Sequence, residues 1–156
     1  MPANPVIFID TSVFANLIEV NGNSQDRASV LEQFDAFVNS GARFVLPITT
    51  IVETGNLIFY AGGDPRPAAE RLVGALSAAQ EVNPPWTVRA VDWDLGFVAA
   101  LIDGDSTGSS LVDLISDKRM ASGDVAILVE RDRFRDETAY TDVRVWSLDS
   151  QLQAFG

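Results

Sequence analysis

Two apolar spacings alternate along the chain. Short unbroken runs, Val6-Ile7-Phe8-Ile9 and Phe44-Val45-Leu46, have the composition of strands covered on both faces, the usual state of a central parallel strand. Longer stretches repeat their apolar positions every three or four residues and predict helices. A short helix is expected over 13–18, ending at the turn cluster Asn21-Gly22-Asn23. A longer one is expected over 25–40, with Ala28, Val30, Leu31, Phe34, Phe37 and Val38 on its stripe and Gly41 as its stop.

Arg43-Phe44-Val45-Leu46 reads as a second strand, closed by Pro47, which cannot continue a central ladder. A helix opens at Thr49-Thr50-Ile51-Val52-Glu53 and runs to Gly62-Gly63, and another starts at Pro65 or Pro67 and buries Ala69, Leu72, Val73, Leu76 and Ala79. Loose alternation from Trp86 to Val91 predicts a short strand, and helical spacing resumes over 92–102. Past the Gly- and Ser-rich link 104–110, a turn or two of helix is expected over 111–116, then a helix over about 124–133. A late strand follows at Val143-Arg144-Val145-Trp146-Ser147-Leu148, and a short helix over 150–155. Strands alternating with helices predict an α/β fold with a parallel sheet.

The chain has 156 residues, 47% of them hydrophobic, enough for one domain spanning 1–156 with its own core. It has no run of about 18 apolar residues, and Met1-Pro2-Ala3-Asn4-Pro5 lacks the basic start of a secretory signal, so a cytoplasmic protein with no membrane partner is expected. Composition also restricts the chemistry. With no Cys and no His there is no thiolate nucleophile, no imidazole base and none of zinc's preferred ligands, which leaves acid, base and metal work to carboxylates. There are 22 Asp and Glu against 11 Lys and Arg, and a net charge of −11 has the wrong sign for gripping nucleic acid by charge alone.

Four carboxylates stand where elements begin or end. Asp10 closes the first strand and Asp149 the last; Glu53 and Asp124 fall near the starts of helices. Each has an ordinary explanation as well. Asp10 and Asp149 suit helix caps, Thr50-x-x-Glu53 is a capping box, and Asp124 complements a helix dipole. In a parallel α/β sheet, however, strand carboxyl ends and the first turns of the returning helices share one rim, so the four should be neighbours. Clustered carboxylates repel and raise one another's pKa unless a cation intervenes, and all-oxygen ligation suits Mg²⁺ or Mn²⁺. The chemistry that follows is phosphodiester hydrolysis, in which cations let an acidic protein hold a polyanion.

The series Val6-Ile7-Phe8-Ile9-Asp10-Thr11-Ser12, Pro47-Ile48-Thr49-Thr50-Ile51-Val52-Glu53, Ser122-Gly123-Asp124-Val125-Ala126-Ile127 and Val145-Trp146-Ser147-Leu148-Asp149 resembles the PIN domain family. The resemblance implies a three-layer α/β/α sandwich around a central, mainly parallel sheet of four or five strands. It also implies a Mg²⁺- or Mn²⁺-dependent endoribonuclease, with VapC-like toxins of toxin–antitoxin pairs as the closest-looking branch. Asp10, Glu53, Asp124 and Asp149 would then be the catalytic and metal-binding quartet, with Ser12 and Ser147 as supporting polar positions. Ser147 stands where the family often has Thr, which keeps the hydroxyl, and with Gly156 following soon after the last acidic motif, a final strand common in the family is expected to be missing or contributed differently.

RNA is the expected substrate, an antitoxin a candidate partner, and Lys118, Arg119 and Arg144 candidate RNA contacts near the mouth. Lys118 and Arg119 read equally well as solvated loop residues. Phe59, Tyr60 and Phe97 suit either a homodimer face or the core. The competing functional reading is a non-catalytic PIN-like module whose acidic rim receives a basic partner segment, since a partner Arg can pair with such carboxylates. A weaker one is a phosphotransferase or phosphatase with Asp10 as nucleophile, against which stands Ser12 in place of a second Asp.

Overall fold

The computed structural model describes residues 4–156, so the reading of the first three residues as lacking a signal lies outside the described residues. The chain is mixed α/β. In order it forms β1 (Val6–Ile9), α1 (Thr11–Leu17), α2 (Arg27–Asn39), β2 (Arg43–Val45), α3 (Ile48–Tyr60) and α4 (Arg66–Ala78). It continues through α5 (Leu95–Asp103), α6 (Leu111–Ser116), α7 (Ser122–Glu137), β3 (Val143–Trp146) and α8 (Ser150–Gln153). The strands lie in the order β2-β1-β3 and are all parallel, with Phe8 opposite both Val45 and Val145. No helix among the described residues is long and apolar enough to cross a membrane.

β1 is the centre of this arrangement because its four residues serve two cores. Val6 and Phe8 pack with α5, α6 and α7, while Ile7 and Ile9 pack with α1 to α4. An unbroken apolar run is therefore what the position demands: alternation would put polar groups into one of the cores. On the second face Phe34 stacks on Phe44 at 4.8 Å, and the Trp146 indole donates to Gln33 Oε1 at 2.8 Å. These contacts fasten α2 across the strands. Gly41, at φ +78°, supplies the left-handed turn that ends the helix and sends the chain into β2.

The sheet is smaller than the four or five strands expected. Only Thr87 of the segment 86–91 pairs with a strand, in a single parallel bridge to Val45. Pro84 and Pro85 precede it, and its side chains are anchored elsewhere. The Trp86 indole donates to Ala75 O, and the Arg89 guanidinium lies over the Phe134 ring at 4.5 Å. These attachments pull the backbone off the ladder after one residue.

Two other expectations change for similar reasons. Phe59 and Tyr60 are exposed, packing ring to ring at the outer end of α3, whereas Phe97 is buried. α7 runs past its expected end at about 133, and three of its arginines, Arg131 buried, Arg133 half-buried and Arg135 exposed, tie it to neighbouring elements. Arg131 is 4% exposed and donates to Phe155 O, Arg133 lies over Phe97, and Arg135 donates to Val143 O. A guanidinium buries readily when its stem packs and its head finds carbonyls.

Candidate functional site

Asp10 follows β1 and is 7% exposed. Its Oδ2 accepts hydrogen bonds from Ser12 Oγ and Ser147 Oγ, both at 2.8 Å, and a longer one from Ser12 N at 3.4 Å. The capping reading is correct, since Asp10 caps α1, but the cap occupies only Oδ2 and leaves Oδ1 outside the network. Each serine has one hydroxyl proton and gives it to Asp10, so their mutual 3.3 Å approach is a contact without a proton between them. The same hydroxyls accept from the backbone, Ser12 Oγ from Leu148 N and Ser147 Oγ from Asp149 N, each at 3.0 Å. Two serines thus bind the end of β1 to the end of β3 and fix the carboxylate between them.

Asp149 caps α8 through Oδ1, which accepts from Gln151 N at 2.8 Å. Glu53 departs from its expected local role. Pro47, extended at φ −65° and ψ 147°, starts α3 early enough that Thr50 lies inside the helix and its hydroxyl donates to Ile9 O at 2.7 Å. With Thr50 inside the helix and not at its cap, no capping box forms, and Glu53 is half-buried and within range of the charges of Asp10 and Asp124. Burial, and then the charges of Asp10 and Asp124, push its pKa up. The buried Thr11 hydroxyl beside it offsets part of that rise, although it falls short of a well-formed hydrogen bond.

Asp124 lies in the first turn of α7 and accepts from Ala121 N at 3.2 Å. This is half a capping box; Ala121 has no side-chain acceptor to complete it. Burial pushes the Asp124 pKa up, the Ala121 amide offsets this in part, and Asp10 and Asp149 add to the rise. Glu53 thus feels the charges of Asp10 and Asp124, and Asp124 those of Asp10 and Asp149, which links the four predicted acids in one chain of charge coupling. None of the seven ion pairs among the described residues uses any of them. Nor do three or more carboxylates among the described residues converge tightly enough to form a ready-made cation cage. The site is an open acidic ring, near enough for charge coupling.

The basic candidates separate. Lys118, in a left-handed turn at φ +57°, and Arg119 line a cleft of about 350 Å³ together with Asp124 and Asp149. Arg119 makes only a loose 3.9 Å contact with Asp117, so both cations stand beside the acids. Arg144 does not. Its guanidinium forms two 2.8 Å bonds to Asp142, at the opposite end of β3, which removes it from the mouth.

Sequence reasoning missed a supporting residue, Gly123. A Cβ there would run into Glu53 Oε1, so glycine is what lets that carboxylate approach the start of α7. The signal was present as a glycine inside a helical first turn, where it gains nothing for the helix itself. Gly123→Ala is expected to leave the melting temperature at or above the parent's, because only the mobile end of Glu53 must yield. It should nevertheless lower any activity that depends on Glu53. Activity equal to the parent's would show that Glu53 has no fixed place in the reaction.

A buried acid outside the ring is Glu130 on α7, 5% exposed, with Oε2 buried and without a hydrogen-bond partner. It lines a small cavity with Arg89 and Arg133, a separate environment from the acidic ring. Comparisons with protein-family models, with curated proteins and with solved structures found no match for this chain.

Proposed function

We propose that this chain is a PIN-like, Mg²⁺- or Mn²⁺-dependent endoribonuclease, with the toxin of a toxin–antitoxin pair as the biological setting that the family resemblance implies. The observation that carries the reading is the like-charge cluster itself. Asp10, Glu53, Asp124 and Asp149 share one rim and, among the described residues, no Lys or Arg is paired to them, at a cost in repulsion that a bound cation would offset.

The donor set fits such an ion: it is entirely oxygen, it contains no soft ligand, and its openness leaves room for the waters that Mg²⁺ retains. Asp10, Glu53, Asp124 and Asp149 would hold it, and when bound it supplies Lewis-acid polarisation of a phosphate oxygen and acidification of water. The protein's own contribution is positional. Ser12 and Ser147 hold Asp10 in one orientation, Gly123 admits Glu53, and Lys118 and Arg119 offer positive charge to phosphate beside the ring.

One competing reading is favoured by the four carboxylates having no ion-pair partner among the described residues: a non-catalytic module whose rim pairs with the arginines of a basic partner such as an antitoxin. Incubation of RNA with the purified chain separates the two. Strand scission in Mg²⁺ or Mn²⁺ that stops in EDTA is expected. Failure of the chain to bind Mn²⁺ at millimolar concentration, with RNA left whole, would leave the module as the better account.

A further inference from the structure

A second cleft adjoins the acidic ring on different elements from the Lys118–Arg119 side. It has a volume of about 320 Å³, and it shares Asp149 with the basic cleft and reaches Ser12. We infer that this cleft seats a nucleobase of the substrate strand, one carrying an exocyclic amino group, while the Lys118–Arg119 cleft takes a neighbouring phosphate. The inference rests on the nuclease reading of the same rim.

Ala15, Leu57 and Leu148 give the cleft an apolar part to its lining. That suits the flat face of a base and offers nothing to a phosphate. No Lys or Arg lines it. The nearest cation in sequence, Arg27, is committed, donating to Asn16 O and Leu17 O. The volume lies near the lower end of the ~300–1,000 Å³ of small-molecule sites.

Its polar groups divide into structural and available. Asn16 is spent at both ends, its Nδ2 donating to Ser12 O at 2.8 Å and its Oδ1 accepting from Asp26 N at 3.0 Å. Those two bonds hold the α1–α2 loop beside the end of β1. Gln25 donates to Gly22 O, which leaves its Oε1 as an acceptor. The Asp26 carboxylate caps nothing, and neither it nor the Asn23 amide has a side-chain partner among the described residues. The free set is therefore rich in acceptors. Acceptors recognise the amino groups of cytosine, adenine and guanine, and they match uracil less well, since its edge has two carbonyls and a single ring N–H donor. A base held here and a phosphate held by Lys118 and Arg119 would bring the strand between them across Asp149 and the ring.

The test uses full-length Asp124→Asn protein in Mn²⁺, so that binding is read without cutting, with fluorescently labelled RNA octamers of cytidine, of uridine and of abasic units. Anisotropy should show the cytidine octamer binding about tenfold tighter than the other two. Asp26→Ala and Asn23→Ala, each melting like its parent, should reduce that preference to near unity. Lys118→Ala should weaken all three octamers alike and flatten their salt dependence. Equal affinity for cytidine and abasic octamers, or a preference that survives Asp26→Ala and Asn23→Ala, overturns the base site and leaves the nuclease reading standing. Failure of every octamer to bind, together with intact RNA in the cleavage assay of the parent, overturns both.

Discussion

Asp124→Asn is expected to reduce RNA cleavage by ~100-fold or more and, in the same protein, to raise the melting temperature measured in EDTA near neutral pH. The two effects have one cause. Asp124 and Glu53 both have pKa values raised by burial and by neighbouring carboxylates, so their folded forms hold protons more tightly than the unfolded chain does. For such groups the associated stability is complete below the ordinary carboxylate range and is lost as pH rises through the raised values. Near neutrality the ring is therefore a source of strain. Asn keeps a side-chain acceptor for Ala121 N while removing one charge from the vicinity of Glu53, Asp10 and Asp149.

Mn²⁺ should stabilise the parent more than the variant, because the variant has lost both a ligand and part of the repulsion that the ion relieves. Thermal denaturation of both proteins with EDTA and with Mn²⁺, beside the RNA assay, measures the two effects. A variant that cuts RNA at the parent's rate, or that gains as much from Mn²⁺ as the parent, would remove Asp124 from the proposed machinery.

Glu130→Gln should stabilise the protein by ~3 kcal/mol in mild alkali and by little in mild acid. Burial raises the Glu130 carboxyl from its ordinary 4.5 to about 7, against a smaller opposing pull from Arg89. At roughly 1.4 kcal/mol for each tenfold change in proton affinity, that difference sets the size of the effect. Its sign follows from where the proton sits. Below the ordinary value the carboxyl is neutral in folded and unfolded chains alike. As pH rises toward and through 7, the unfolded chain ionises at no penalty, while the folded one must carry a buried charge with Oε2 unpartnered. Gln is never charged, so it avoids the loss. Urea denaturation of parent and variant at about pH 5 and about pH 8 should show their stabilities converging in acid and separating in alkali. A separation that does not depend on pH would mean that packing, and not ionisation, distinguishes the two side chains.

Glu130 also shows where reading a sequence stops. Ala126, Ile127, Leu128 and Val129 mark α7 as buried, yet nothing in the order of residues says that Glu130 and Arg131 are drawn in with them. Arg131 is buried because Phe155 O, 24 residues away, accepts from it. Thr50 and Glu53 make the same point in reverse. Their spacing satisfies a local rule, but Pro47 starts the helix a turn early and Ile9 O takes the Thr50 hydroxyl. A capping box needs its Thr at the N-cap, and where the helix begins is decided by Pro47 and by what the Thr50 hydroxyl finds across the fold, neither of which the Thr–Glu spacing shows.

By itself the sequence determined the alternation of parallel strands and helices and the central place of Val6–Ile9. It also placed Asp10 and Asp149 at the carboxyl ends of strands. These follow from apolar periodicity and from the geometry that any parallel sheet imposes on its connections. Only the tertiary structure decided that the sheet stops at three strands and one bridge, that Gly123 makes room for Glu53, and that Lys118 and Arg119 reach the acidic ring while Arg144 does not. Each of these depends on which of several chemically equivalent partners lies nearest after the chain has closed. That is a property of distances across the fold and is carried by no single stretch of residues.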